Sequence, residues 1–180
     1  MANHKLSVSV GFYLMLALML LLMPLRWLFS AIIAAIFHEC CHYAAIRLLC
    51  RRPATVGLYS YGARMALPEM SRSKELLCAM AGPAGGFLLT ALAPLFPRLA
   101  LCAFVQSAYN LLPVYPLDGG RMFSSILYMV FRPPLAEAIL RLTEVSIKCI
   151  LCLASLYACF FLRWGILPLL IAALICIRIK

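Results

Sequence analysis

Between Trp27 and Leu49 the chain holds an apolar run long enough to cross a bilayer, and within it stand His38, Glu39 and His42. A helix needs about 20 residues to cross hydrocarbon, and ionisable groups inside such a span are expensive and mark function. On a helix, residues i and i+4 lie one turn apart on the same face. His38 and His42 therefore offer two imidazoles to one ion, and neutral imidazole is a good zinc ligand. Glu39 lies about 100° further round, so it can flank the ion without ligating it and take a proton from a water there. Zinc lowers the pKa of a bound water to roughly 7, which makes hydroxide available at neutral pH. H-E-x-x-H on a helix is the pattern of a zinc protease. The same pattern arises by chance in soluble helices as an ordinary His pair; its place in a hydrocarbon-length run argues against that reading here.

Composition supports the span. Of the 180 residues 66% are hydrophobic and only 12% charged, far less charge than a soluble domain of this length exposes. Six apolar segments can be read: about 6–23, ended by Pro24; 27–49; 76–96; a segment from about 99 that is interrupted by Pro113 and Pro116 and resumes over 122–131; 142–162; and 164–179. The expected fold is an all-α polytopic membrane protein of about six transmembrane helices, one integral membrane domain over residues 1–180. No small-residue cleavage site follows the first segment, which reads as an uncleaved span. The stretch 55–67 carries Gly57 and Gly62 among Val56, Leu58, Tyr59 and Tyr61, which suits a short β-hairpin after the second span; a solvated irregular loop is the other reading.

The net charge of +10 does not point to nucleic acid, because no basic stripe with interleaved aromatics is present. The Lys and Arg residues flank the apolar runs instead. With six spans, the side holding both termini and the 50–75 and 121–141 loops carries twelve of the sixteen; the other side carries three, Arg26, Arg98 and Arg163. That bias places both termini in the cytoplasm. His42 then lies about 10 Å below the cytoplasmic surface, in that half of the bilayer.

A catalytic zinc takes three protein ligands and leaves one position open. The third His, His4, is in the N-terminal tail, and Asp118 is the single Asp. Asp118 ends the sequence Asn110-Leu111-Leu112-Pro113-Val114-Tyr115-Pro116-Leu117-Asp118, followed by Gly119-Gly120. Two prolines break the helix there, and irregular backbone at membrane depth is tolerated only where it is buried in protein or lines a wet cavity. Asp118 is expected near the same membrane side as His42, which suits a third ligand; it also suits a helix N-cap. The nine Cys fall mostly in apolar runs and read as small packing residues, with no structural disulfide expected. Gly82-x-x-x-Gly86 reads as a helix-packing face.

H-E-x-x-H over 38–42 and N-x-x-P-x-x-P-x-D-G over 110–119, in this order, resemble the site-2 protease family of intramembrane zinc metalloproteases. Ala81-Gly82-Pro83 resembles the family's A-G-P stretch. The likeness covers roughly 38–125, and the small size is most similar to the sporulation-factor branch. The chain departs from that branch in lacking a C-terminal nucleotide-sensing (CBS) domain, and from other relatives in lacking an inserted PDZ domain; Gly86 stands where many have Asn. The resemblance implies that His38, His42 and Asp118 hold one Zn2+ and that Glu39 is the general base. It implies that Asn110, Pro113 and Pro116 hold an unwound substrate segment. The implied partners are a membrane protein substrate, the lipid bilayer and a regulatory membrane protein, with no nucleic acid. Regulated intramembrane proteolysis, with sigma-factor activation in a spore-former as one form, is the implied function. The competing readings are a transmembrane metal-ion transporter using the same His/Asp site, and an inactive relative that only binds partners. The first calls for more polar residues along a path through the bilayer than the spans offer. The second leaves Glu39 without a purpose.

Overall fold

The computed structural model describes residues 7–8, 17, 20–21, 23–50, 55–59, 62–66 and 70–161. In chain order its elements are β1 (Ser7–Val8), α1 (Leu25–Cys50), β2 (Thr55–Tyr59), β3 (Gly62–Ala66), α2 (Arg72–Leu89) with a 3-10 turn over Thr90–Leu92, α3 (Pro97–Asn110), α4 (Asp118–Val130) and α5 (Pro133–Phe160). The chain divides into two compact units, Met1–Leu111 and Leu112–Lys180.

In the first unit α1 starts where Pro24 stops any earlier helix: the amides of Trp27 and Leu28 donate to its carbonyl at 2.9 and 3.1 Å. Pro24 cannot continue a helix behind it but can open one. At the far end Arg47 lies in the last turn, where a cation complements the helix dipole. The buried stripe of α1 is Ala34, His38, His42 and Ile46, a spacing of four that lines one face. α1, α2 and α3 pack on one another, and the residues between them are small. Ala34 and Ala103 are each 1% exposed and cluster with Leu89, while Gly86 of α2 lies against Ser107 of α3. Small residues let helix backbones approach closely, the packing mode of helices in lipid. The outward face is the large, apolar one: Leu25, Phe29, Ile33 and Ile36 are all more than half exposed. A water-soluble helix shows the reverse arrangement.

A three-stranded sheet in the order β1-β2-β3 precedes α2. β1 runs parallel to β2, and β2 pairs antiparallel with β3 from Thr55 opposite Ala66 to Tyr59 opposite Gly62. Ser7–Val8, at the start of the first apolar segment, is thus strand where a membrane helix was expected.

α2 opens after Ser71, whose backbone is extended and whose carbonyl accepts the Glu75 amide at 3.0 Å. It carries Pro83 in its interior, which removes one helical hydrogen bond. Among the described residues, Leu25–Cys50 and Arg72–Leu92 are the helices long and apolar enough to cross a membrane. α3 has 14 residues and α4 has 13, rises of about 21 and 20 Å, both short of the ~30 Å hydrocarbon core. The interrupted fourth segment is therefore two separate helices.

In the second unit α4 packs on α5, with Leu127, Ala136, Ser125 and Ser155 buried. The expected loop over 121–141 is corrected here: α4 continues to Val130, and α5 begins at Pro133, well ahead of 142. Pro133 and Pro134 fall in the first turn, where a missing amide costs nothing and the fixed φ favours the helix. Ala, Leu and Glu then continue it. The first segment lies largely, and the sixth wholly, outside the described residues.

Candidate metal centre

His38 and His42 project from successive turns of α1 and are 3% and 6% exposed. Their rings meet edge to face, with centroids 4.7 Å apart at 81°, and their Nε2 atoms are 3.1 Å apart. Nδ1 of His42 donates to the Cys78 carbonyl of α2 at 2.7 Å. A carbonyl only accepts, so the neutral His42 ring carries its proton on Nδ1, and its Nε2 lone pair faces Nε2 of His38. Metal-bound histidines commonly donate their second ring nitrogen to a backbone carbonyl in this way, which fixes the tautomer.

The pair fits a metal ion. Two nitrogens bound at about 2.0–2.1 Å to a tetrahedral centre lie about 3.3 Å apart, close to the separation found. The bare Cα of Gly82 on α2 faces the same two nitrogens. Glu39 is half-buried on α1, one residue round from His38.

Asp118 belongs to the second unit. It is the first residue of α4, is 9% exposed, and follows an N-cap position taken by Leu117. The N-cap reading of Asp118 is corrected accordingly; its carboxylate sits in the first turn, where the helix dipole favours an anion. Arg121, one turn on, brings Nη1 to 3.8 Å from Asp118 Oδ1, and its side chain is 19% exposed. The irregular stretch 111–117 folds back on α4. The Val114 amide donates to the Leu112 carbonyl at 2.7 Å and the Leu117 amide to the Val114 carbonyl at 2.9 Å, and the Tyr115–Pro116 peptide is cis. Gly120 lies so close to the backbone of Val114 and Tyr115 that a Cβ there would overlap it. His38 and His42 offer two nitrogen ligands from the first unit, and Asp118 is a buried carboxylate of the second.

Asn110 is the last residue of α3 and is half-buried; Pro113 and Pro116 stand half-buried in the stretch before Asp118. Reading the sequence missed two groups that touch the histidines. Cys78 was assigned to packing, which its side chain does against Ile46, but its main-chain carbonyl holds His42. Gly82 was assigned to helix packing, and it also borders the ring nitrogens. The match to A-G-P was the available signal for Gly82; no side-chain pattern announces a carbonyl.

The fold is that of a site-2 protease. The chain superposes on the site-2 protease from Methanocaldococcus jannaschii with a TM-score of 0.70 and 20% sequence identity, over 94% of this chain and 86% of that one. No protein-family model matches the chain, and no curated protein does.

Proposed function

We propose that this protein is an intramembrane zinc metalloprotease of the site-2 type, with His38, His42 and Asp118 as metal ligands and Glu39 as general base. The observation that carries the reading is the buried His38–His42 pair, Nε2 atoms 3.1 Å apart, on the longer of the two helices among the described residues that are able to cross a membrane. The site-2 protease fold and the outward apolar face of α1 support it. When bound, Zn2+ would supply Lewis-acid polarisation of the scissile carbonyl. Glu39 takes a proton from the attacking water and passes it to the leaving amine. The Cys78 carbonyl keeps His42 in one tautomer while this happens.

The substrate is a membrane-spanning or membrane-associated protein cut within or near its spanning segment. Such a segment must unwind, since a helix hides its amides in its own hydrogen bonds. Asn110 and the backbone around Pro113 and Pro116 hold the unwound chain. β2 is the middle strand of the sheet, so β3 has an outer edge to which an extended segment can add. The bilayer and a regulatory membrane protein are the remaining partners. Both termini are cytoplasmic by the Lys and Arg bias, which puts the chemistry in the cytoplasmic half. Release of a membrane-held sigma factor is one reaction of this kind.

The test is co-reconstitution with single-span substrates, comparing wild type with Glu39→Gln. Fragments from wild type alone support the reading and locate the cut. Equal cleavage by both proteins overturns the role of Glu39, and no cleavage of any spanning substrate by the zinc-loaded enzyme overturns the protease reading.

A further inference from the structure

α2 meets the histidine pair at two points one turn apart. At Cys78 the main-chain carbonyl takes the Nδ1 proton of His42 at 2.7 Å. Four residues on, Gly82 faces Nε2 of both rings. A Cβ built on Gly82 would stand 2.6 Å from His42 Cε1 and 2.7 Å from His38 Nε2, and nearer still to His42 Nε2. No real side-chain carbon is accommodated at such separations. A side chain at that point would press on Nε2 of both rings and push them out of the positions in which they can share an ion. The absent side chain thus lets α2 lie against both ring nitrogens without displacing them. The other glycines of α2 differ: a Cβ on Gly85 would meet Cys41, and one on Gly86 would meet Ser107, contacts between helices with no ring nitrogen involved.

We propose that Cys78 and Gly82 of α2 form a positioning device for the metal pair: the Cys78 carbonyl sets the tautomer and ring angle of His42, and Gly82 keeps both Nε2 atoms clear of side chain. The proposal rests on the reading of His38 and His42 as metal ligands, and it gives the Ala81-Gly82-Pro83 stretch a role separate from helix packing. A small residue is not enough at position 82. Alanine, adequate for close helix approach elsewhere in this unit, places a methyl group against Nε2 of both histidines.

The experiment uses the full chain in detergent. Zinc affinity is read by competition with a chromophoric chelator, ligand geometry by the visible spectrum of the Co2+-loaded protein, and folding by the thermal midpoint of the metal-free protein. Gly82→Ala is expected to weaken zinc binding at least 100-fold and to abolish the tetrahedral cobalt spectrum. Gly86→Ala is expected to lower the midpoint while keeping affinity within about threefold of wild type. Wild-type affinity in Gly82→Ala overturns the proposal and leaves the protease reading standing. So does an equal loss of affinity in the two variants, which is the behaviour of packing alone. If wild type binds no metal, both readings fall. Should Gly82→Ala not fold, the carbonyl is tested instead: replacing Ala79 by lactic acid turns the Cys78 carbonyl into a weaker ester acceptor without adding an atom. Loss of a second partner of a metal-bound His typically costs 10- to 100-fold in affinity. A loss of about tenfold is expected; unchanged affinity overturns the proposal.

Discussion

Glu39 and His42 answer to different tests because one moves a proton and the other holds an ion. Glu39→Gln keeps size and shape but removes the base, so cleavage is expected to fall by roughly 10²–10⁴ with zinc content unchanged. Product analysis and metal analysis on one preparation check both halves; loss of zinc from Glu39→Gln would mean that Glu39 is a ligand. Gly120 is a second residue whose role is geometric. A Cβ there overlaps the backbone of Val114 and Tyr115, and overpacking of this kind typically costs about 1–3 kcal/mol. Gly120→Ala is therefore expected to lower the thermal midpoint. An unchanged midpoint in Gly120→Ala contradicts the packing described. At this scale the buried pair of His38 and His42 was legible, because its chemistry lies in side chains at a fixed spacing on one helix. Cys78 and Gly82 were not legible as partners of the histidines, because one acts through a main-chain atom and the other through an atom it lacks.

Elements were harder to delimit than residues. Arg132 and Arg141 were taken to mark a loop, yet α5 runs from Pro133 to Phe160 straight through Arg141. Charge shows where a chain meets water or headgroups, not where a helix ends. The prolines at 133 and 134 were the better boundary signal. Likewise Pro113 and Pro116 were read as an interruption within a span, and the structure shows two helices of 14 and 13 residues. α1 was legible because its apolar run, its preceding Pro24 and its His spacing all agree. The sheet supplies the prediction that belongs here. Leu58 pairs with Val8 on one side and Ala63 on the other. Proline at this middle-strand position removes an amide and fixes φ. Leu58→Pro is expected to impair cleavage while zinc stays bound; unchanged cleavage would remove the sheet from substrate handling.

At the scale of the whole molecule, the apolar outer face of α1, the small inner residues of the first unit and the site-2 protease fold agree with the composition of the chain. None of them states which side of a membrane each end faces. That expectation rests on twelve Lys and Arg against three, and it is tested by single-cysteine labelling of intact cells at the two termini, in a variant lacking the native thiols. Both termini protected from an impermeant reagent is the expected result; labelling of either one contradicts the topology. The central claim is that the buried His pair with Asp118 holds one zinc ion. The most direct measurement is the metal content of the purified full chain by mass spectrometry, for wild type, Glu39→Gln and His42→Ala. The account predicts about one zinc per chain in the first two, and little or none in the third. A wild type that takes up no zinc, or a His42→Ala protein that keeps a full equivalent, would contradict it.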